Sequence, residues 1–336
     1  MTRQGNVRQG NAQKGNAQKG NAQKGKAWQG NAGAQAESSS PGVRLREAVE
    51  AMSGTVDRLS ELSRKKYQNP YEALVWPESV EPEQDLFFSP EMTSLHGTVH
   101  AFPEDRPEFR RFAFQEAANF FSLNIHGEKA LISGLAERMY RNDLLAISDY
   151  LHHFIDEENK HSVYFGGFCT RYAKLYRSRH VPFGAEADRT VSDFLFFAKA
   201  LLFEEHADQY NVVQAKDDRL HGLARFINQA HHADEARHLV FNRAIVTALW
   251  ETYAPGWTAA TREDVRARIG QFFVTTWREY YNPDVYADCG FDDPWQVAED
   301  AWCTPGQRAH RRRVSKKCLD FLLSSGVLEE EPADVF

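Results

Sequence analysis

The sequence predicts an all-α fold, a four-helix bundle with extra helices at its N- and C-terminal ends. Three observations carry that prediction. Apolar residues recur at helical spacing over four long segments, roughly 107–140, 142–175, 189–214 and 217–252. Strand-like alternation of apolar and polar residues is sparse. The segments are separated by helix-breaking punctuation, with Pro182 and Gly184 between the second and third and Pro255 after the fourth.

Taken in order, residues 1–40 form a low-complexity tail in which Gly5, Gly10, Gly15, Gly20, Gly25 and Gly30 recur every five residues, in units near Gly-Asn-Ala-Gln-Lys. Such a segment has too few apolar groups to offset its chain entropy, so disorder is expected. Residues 41–103 are expected to pack on the bundle. A helix over 43–67 carries Leu45, Val49, Met52, Val56, Leu59 and Leu62 on one face, and a loop follows with prolines at 70, 77, 82, 90 and 103. Residues 104–336 are expected to form one helical domain built around the four long segments. Its first long helix is expected to break near Asn124, and Asp217 and Asp218 are expected to cap the fourth. Further helices are expected over 259–280 and 305–325.

Composition narrows the function. A chain of 336 residues, 42% apolar and 26% charged, reads as a soluble globular protein, and its net charge of −7 argues against general nucleic-acid binding. No run of 18 apolar residues suggests a membrane span, and no apolar leader is visible, so a cytoplasmic location is expected. Cys169, Cys289, Cys303 and Cys318 are scattered without a C-x-x-C, as expected of reduced, mostly buried thiols and not of a zinc ribbon or disulfide framework. The 23 phenylalanines fit either a large aromatic core or an apolar substrate cavity, for which Phe120, Phe121, Leu131, Phe154, Phe165, Phe197 and Leu201 are candidates, core packing being the default.

The chemistry concentrates in two Glu-x-x-His motifs, Glu158-Asn159-Lys160-His161 and Glu235-Ala236-Arg237-His238. In a helix, the offsets of 4 and 7 also bring His231 onto the face of Glu235 and His238. Each motif follows a long helix that offers a lone carboxylate: Glu128 on the first, and Glu204 or Glu205 on the third. The order Glu, Glu-x-x-His, Glu, Glu-x-x-His is the carboxylate–imidazole pattern of ferritin-like di-iron or di-manganese bundles. Oxygen and imidazole donors without a thiolate suit iron first and manganese second. An acidic residue precedes each motif glutamate, Glu157 and Asp234. By helix geometry each can orient the histidine of the opposing helix. His231 is preferred over its neighbour His232 because it shares a face with Glu235 and His238. His126 and His206 stay open between a supporting and an ordinary role, while His152 and His153 are expected to be structural.

With these residues the chain resembles the p-aminobenzoate N-oxygenase family of ferritin-like di-iron enzymes. The specific mark is a third histidine four residues before the last glutamate, matched by His231 before Glu235. The separation of 27 residues between Glu204 and His231 also fits, which favours Glu204 over Glu205. The resemblance implies the ligand set Glu128, Glu158, His161, Glu204, His231, Glu235 and His238. It covers roughly 95–250, and departs in the repeat tail, the helix at 43–67 and a shorter gap between Glu128 and Glu158.

What the resemblance implies is O2-dependent oxidation of a nitrogen centre through a peroxo-di-iron species, in specialised metabolism. The first option is amine to hydroxylamine, nitroso or nitro; the second is hydrazine to azoxy. The partners expected are a small nitrogen-containing substrate and either an external electron donor or the substrate's own electrons, because no dinucleotide-binding glycine motif or cluster cysteines are visible. A homodimer is one assembly the sequence allows. The basic run Arg308, Arg311, Arg312, Arg313, Lys316 and Lys317 can hold a substrate carboxylate, though a solvated helix face is the simpler reading. The rivals are a ferritin-like storage or ferroxidase protein, a desaturase or C–H hydroxylase, a radical-generating reductase subunit, and a metal-free helical bundle.

Overall fold

The computed structural model describes residues 40–180 and 188–336. The expected tail, apart from Ser40, and the expected turn at Pro182 and Gly184 lie outside the described residues. The described residues contain no strand, and their one β-bridge joins Leu86 to Leu220. The all-α expectation is met.

Four long helices make the bundle: α3 (Pro107–Arg138), α4 (Ser148–Tyr172), α5 (Arg189–Lys216) and α6 (Gly222–Tyr253). They are preceded by α1 (Pro41–Glu50) and α2 (Ser53–Lys66), and followed by α7 (Ala259–Tyr280), α8 (Pro283–Asp288), α9 (Pro294–Cys303) and α10 (Pro305–Ser324). α3 lies along α4 and α5 along α6, while α1 covers α6, α2 covers α4 and α6, and α7 and α10 pack on α5. The core between them is strongly aromatic. Phe112, Phe120, Phe121, Phe154, Phe165 and Trp277 are all fully buried, and each buried ring contributes roughly 1.5–3 kcal/mol.

Several boundaries differ from the sequence reading, each for a local reason. The helix expected over 43–67 is two helices, because at Met52 the backbone N–H turns to Val49 O at 3.0 Å, just before the weak helix formers Ser53 and Gly54. α3 does not break at Asn124. That side chain is buried and donates to Phe120 O at 2.9 Å, so the helix absorbs its amide. α4 starts at Ser148 instead of 142, because Arg141 holds Asp143 and Asp193 and Tyr140 takes a left-handed φ of 57°. α6 starts at Gly222 and not at 217: His221 Nδ1 accepts from Leu223 N at 3.1 Å, whereas Asp217 accepts from Ser89 Oγ and from the Arg219 backbone. The short helices α8 and α9 were not expected, although both begin at a proline and are capped, by Asn282 and Asp293 respectively.

The seven aromatic and leucine candidates for a cavity wall are core residues instead. All seven are buried, and two of them touch the histidines: Phe154 stacks on His238 at 4.0 Å and Phe165 meets His231 edge-on at 5.0 Å. The basic run is also structural or solvated. Arg311 is buried, donating to Val335 O, Trp302 O and Tyr281 Oη, while Arg312 pairs with Glu331 and Lys316 with Asp320. The cysteines are free thiols, with Cys169 and Cys318 buried, Cys289 half-buried and Cys303 exposed.

Candidate metal centre

The four bundle helices carry the seven candidate ligands, all of them buried. Glu128 of α3, His161 of α4 and His231 of α6 form one group whose donor atoms lie within 4.8 Å of one another; Glu158 of α4 with Glu235 and His238 of α6 form a second. The groups meet through Glu235: its Oε1 lies 2.8 Å from His231 Nε2, 3.4 Å from His238 Nδ1 and 3.8 Å from His161 Nδ1. Glu158 likewise reaches both sides, with Oε1 at 2.9 Å from His238 Nδ1 and Oε2 at 3.7 Å from His161 Nδ1. The spacing of three within each motif makes this possible, because it sets Glu and His on adjacent ridges of one face.

Glu204, on α5, lies outside both groups but is buried and feels the charges of the second. Its Oε2 accepts from Asn242 Nδ2 at 2.7 Å, and the charges acting on it are those of Glu235, His238 and Glu158. Its neighbour Glu205 points elsewhere and pairs with Arg243. The two adjacent histidines divide in the same way. The His231 side chain is 4% exposed and faces the cluster, whereas His232 is 39% exposed and bonds Asp208 at 2.5 Å.

The far nitrogens of the motif histidines are held reciprocally. Asp234, on α6, lies 3.1 Å from His161 Nε2 on α4, and Glu157, on α4, lies 2.8 Å from His238 Nε2 on α6. Lys160 pairs with Asp234, and Arg237 pairs with both Asp234 and Glu157. The sequence shows this symmetry as acid-Glu-x-base-His, repeated in Glu157–His161 and Asp234–His238. The basic positions are Lys160 and Arg237, one in each motif. The two supporting carboxylates are thereby neutralised by two cations of their own.

The inner carboxylates have no such cation. Glu128 and Glu204 are pushed well above the usual carboxylate range, by burial first and then by neighbouring carboxylates, Glu158 and Glu235 respectively. Burial also acts on Glu158 and Glu235, but His238, His161 and His231 outweigh it and hold both below that range. Burial opposes protonation of His161, yet Asp234 and Glu158 raise it to about 10, and His238 is raised by Glu235 and Glu158 in the same way. A buried cluster of this kind calls for positive charge.

The polar bookkeeping tests whether metal ions fit. Glu128 Oε1, Glu158 Oε1, Glu204 Oε1, both oxygens of Glu235, His161 Nδ1 and His238 Nδ1 are buried without a hydrogen bond, all facing the same small volume. In ordinary proteins nearly all buried polar atoms are satisfied. The second oxygens of Glu128 and Glu204 are tied outward, by Ser162 Oγ at 2.9 Å and by Asn242. Four carboxylates and three neutral imidazoles match two divalent ions in charge and in donor type.

The remaining histidines stand apart from this cluster. His126 Nε2 bonds Tyr176 O at 2.8 Å, and His206 Nε2 bonds Ser315 Oγ at 2.7 Å beneath Trp277. His152 bonds Tyr140 Oη and His153 bonds Arg64, both near the surface.

The family model described as P-aminobenzoate N-oxygenase AurF matches residues 49–326. No curated protein sequence matches the chain significantly. Among solved structures, a variant of an R2-like ligand-binding oxidase with an aerobically reconstituted Mn/Fe cofactor shares 16% identity, with 82% of this chain and 93% of that chain covered and a TM-score of 0.47. A second variant of that oxidase shares 14% identity at the same coverage, with a TM-score of 0.46. With a match that takes in the whole bundle and both Glu-x-x-His motifs, the chain belongs to the p-aminobenzoate N-oxygenase family of oxidoreductases.

Proposed function

We propose that the protein is a di-iron N-oxygenase in which Glu128, Glu158, His161, Glu204, His231, Glu235 and His238 would hold two irons. The observation that carries this reading is the set of seven orphaned donor atoms converging between α3, α4, α5 and α6. Bound there, iron would supply electrons to O2. The chain's own residues keep the donors aimed inward, neutralise Asp234 and Glu157 separately, and exclude water with Phe154 and Phe165 against two of the histidines.

A narrow cleft lies between α3, α5 and α7. Its free space is about 40 Å3, and its walls combine Leu123, Gly127, Phe203, Phe272 and Tyr280 with His126, His180 and Glu279. Of these, Gly127 and Phe203 are the chain neighbours of Glu128 and Glu204. Electron balance separates the two candidate reactions. Converting an amine to a hydroxylamine with O2 consumes two further electrons and two protons, and yields one water. Converting a 1,2-disubstituted hydrazine to an azoxy compound takes four electrons from the substrate, which O2 accepts in full, placing one oxygen on nitrogen and the other in water. That second reaction needs no external donor.

The test is to incubate reduced, iron-loaded protein with O2 and a panel of arylamines, alkylamines and hydrazines, and to read products by mass spectrometry. Gain of oxygen on nitrogen is expected. Oxygen gained by a hydrocarbon and by no nitrogen compound would refute N-oxygenation.

A further inference from the structure

The three histidines of the cluster are not held alike. His161 and His238 turn their far nitrogens to Asp234 and Glu157, groups that are carboxylates and, when ionised, only accept hydrogen bonds. Each therefore keeps its proton on Nε2, so Nδ1 is the nitrogen it offers to the cluster once the proton held there is displaced. His231 is mounted the other way round: Nε2 faces Glu128 and Glu235, and Nδ1 lies 2.6 Å from the side-chain amide of Asn211 on α5. Asn211 is fully buried, and its Oδ1 has no hydrogen bond.

An amide is both donor and acceptor, and a half-turn exchanges the two. With its NH2 toward His231, Asn211 leaves Nδ1 as acceptor and the ring proton on Nε2, where it blocks a metal. With its oxygen toward His231, Asn211 accepts from Nδ1–H and frees Nε2. The orphaned Oδ1 finds its partner only in this second orientation. Neither Asp234 nor Glu157, while ionised, offers such a choice.

We propose that Asn211 is the positioning residue of His231, and that its neutral, reversible amide makes His231 the conditional histidine of the centre while His161 and His238 are permanently set. This rests on the metal-centre reading above. Nothing in a lone asparagine announces the role in sequence, but Asn211 lies seven residues after Glu204, which puts both on one face of α5.

The experiment uses zinc as a diamagnetic probe in the full chain, with Asn211→Leu and Asn211→Asp beside the wild type. Ring nitrogen shifts of the three histidines are read by 15N NMR, and zinc affinity by chelator competition. In the wild type all three histidines are expected to carry metal-bound shifts, with the His231 proton on Nδ1. In Asn211→Leu, His231 Nε2 is expected to lose its metal-bound shift while His161 and His238 keep theirs, and affinity for one of the two ions to fall about 10- to 100-fold. Asn211→Asp restores a fixed acceptor, so His231 is expected to stay bound with affinity at or above the wild type. An Asn211→Leu protein indistinguishable from wild type, one that loses all three histidine signals together, or an Asn211→Asp protein that loses His231 would each overturn the proposal. Wild-type protein that takes up no zinc would overturn the metal centre itself, and the role of Asn211 with it.

Discussion

Gly127→Ala gives a prediction whose sign depends on one ring. An ideal Cβ at Gly127 lies 2.2, 2.4 and 2.8 Å from Cζ, Cε1 and Cε2 of Phe203, where ordinary contact begins at 3.4 Å. The ring tip must retreat by the difference, 3.4 − 2.2 = 1.2 Å, or α3 and α5 must separate. Overpacking of this kind costs about 1–3 kcal/mol, whereas replacing glycine by alanine inside a helix gains about 1 kcal/mol. Gly127→Ala alone is therefore expected to range from neutral to about 2 kcal/mol destabilising. In a Phe203→Ala background the obstacle is gone, and the same change is expected to stabilise by about 1 kcal/mol. The assay is urea denaturation of the four metal-free proteins, analysed as a double-mutant cycle with an expected coupling of about 2 kcal/mol. Because Gly127 and Phe203 adjoin Glu128 and Glu204, the single variant is also expected to bind iron more weakly. A gain of about 1 kcal/mol in both backgrounds would show that Phe203 does not rest on Gly127, and the reasoning would fail.

Three further outcomes follow from the charges. Glu116 is buried without a cation, and burial pushes it up to about 7 against the two bonds it accepts from Ser94. A raised carboxyl pKa adds stability that is full below the ordinary value of 4.5 and is lost as pH rises through about 7. Glu116→Gln should flatten that slope, gaining up to about 3 kcal/mol over the wild type at pH 8; parallel urea curves at pH 5 and 8 would count against it. Metal uptake must displace protons from Glu128, Glu204, His161 and His238, all of which hold them more tightly than usual, so iron affinity should rise from pH 6 to pH 8, and a flat titration would be the contrary result. Glu204→Gln should lower bound iron, whereas Glu205→Gln should leave it near the wild-type content and instead free Arg243; equal losses in the two would contradict the assignment.

Much of the site was legible because helical periodicity is a strong constraint. An i, i+3 pair must share a face, so Glu158 with His161 and Glu235 with His238 point one way whatever the tertiary fold. Adjacent residues were harder. Glu204 and Glu205 differ by one step, and what separates them is Asn242 against Arg243 on another helix, which lies beyond any reading of α5 alone. His231 and His232 are divided similarly, by Asp208. Asn211 was missed since a neutral amide carries no charge pattern, and its role depends on a cross-helix distance. The fold differs chiefly at element ends, beside the split at Met52, the unbroken α3 at Asn124 and the short α8 and α9. His221 caps α6 where two aspartates stood available, because Leu86 O takes the His221 N–H at 2.7 Å and holds the preceding turn extended.

The central claim is that two metal ions share one buried cluster through Glu158 and Glu235. Mössbauer and electron paramagnetic resonance spectra of the protein, loaded anaerobically with 57Fe and then oxidised, test it most directly. The account predicts two irons per chain, coupled antiferromagnetically into a pair without the resonance of an isolated high-spin ferric ion. Iron that binds singly, with that isolated signal accounting for all of it, would contradict the claim.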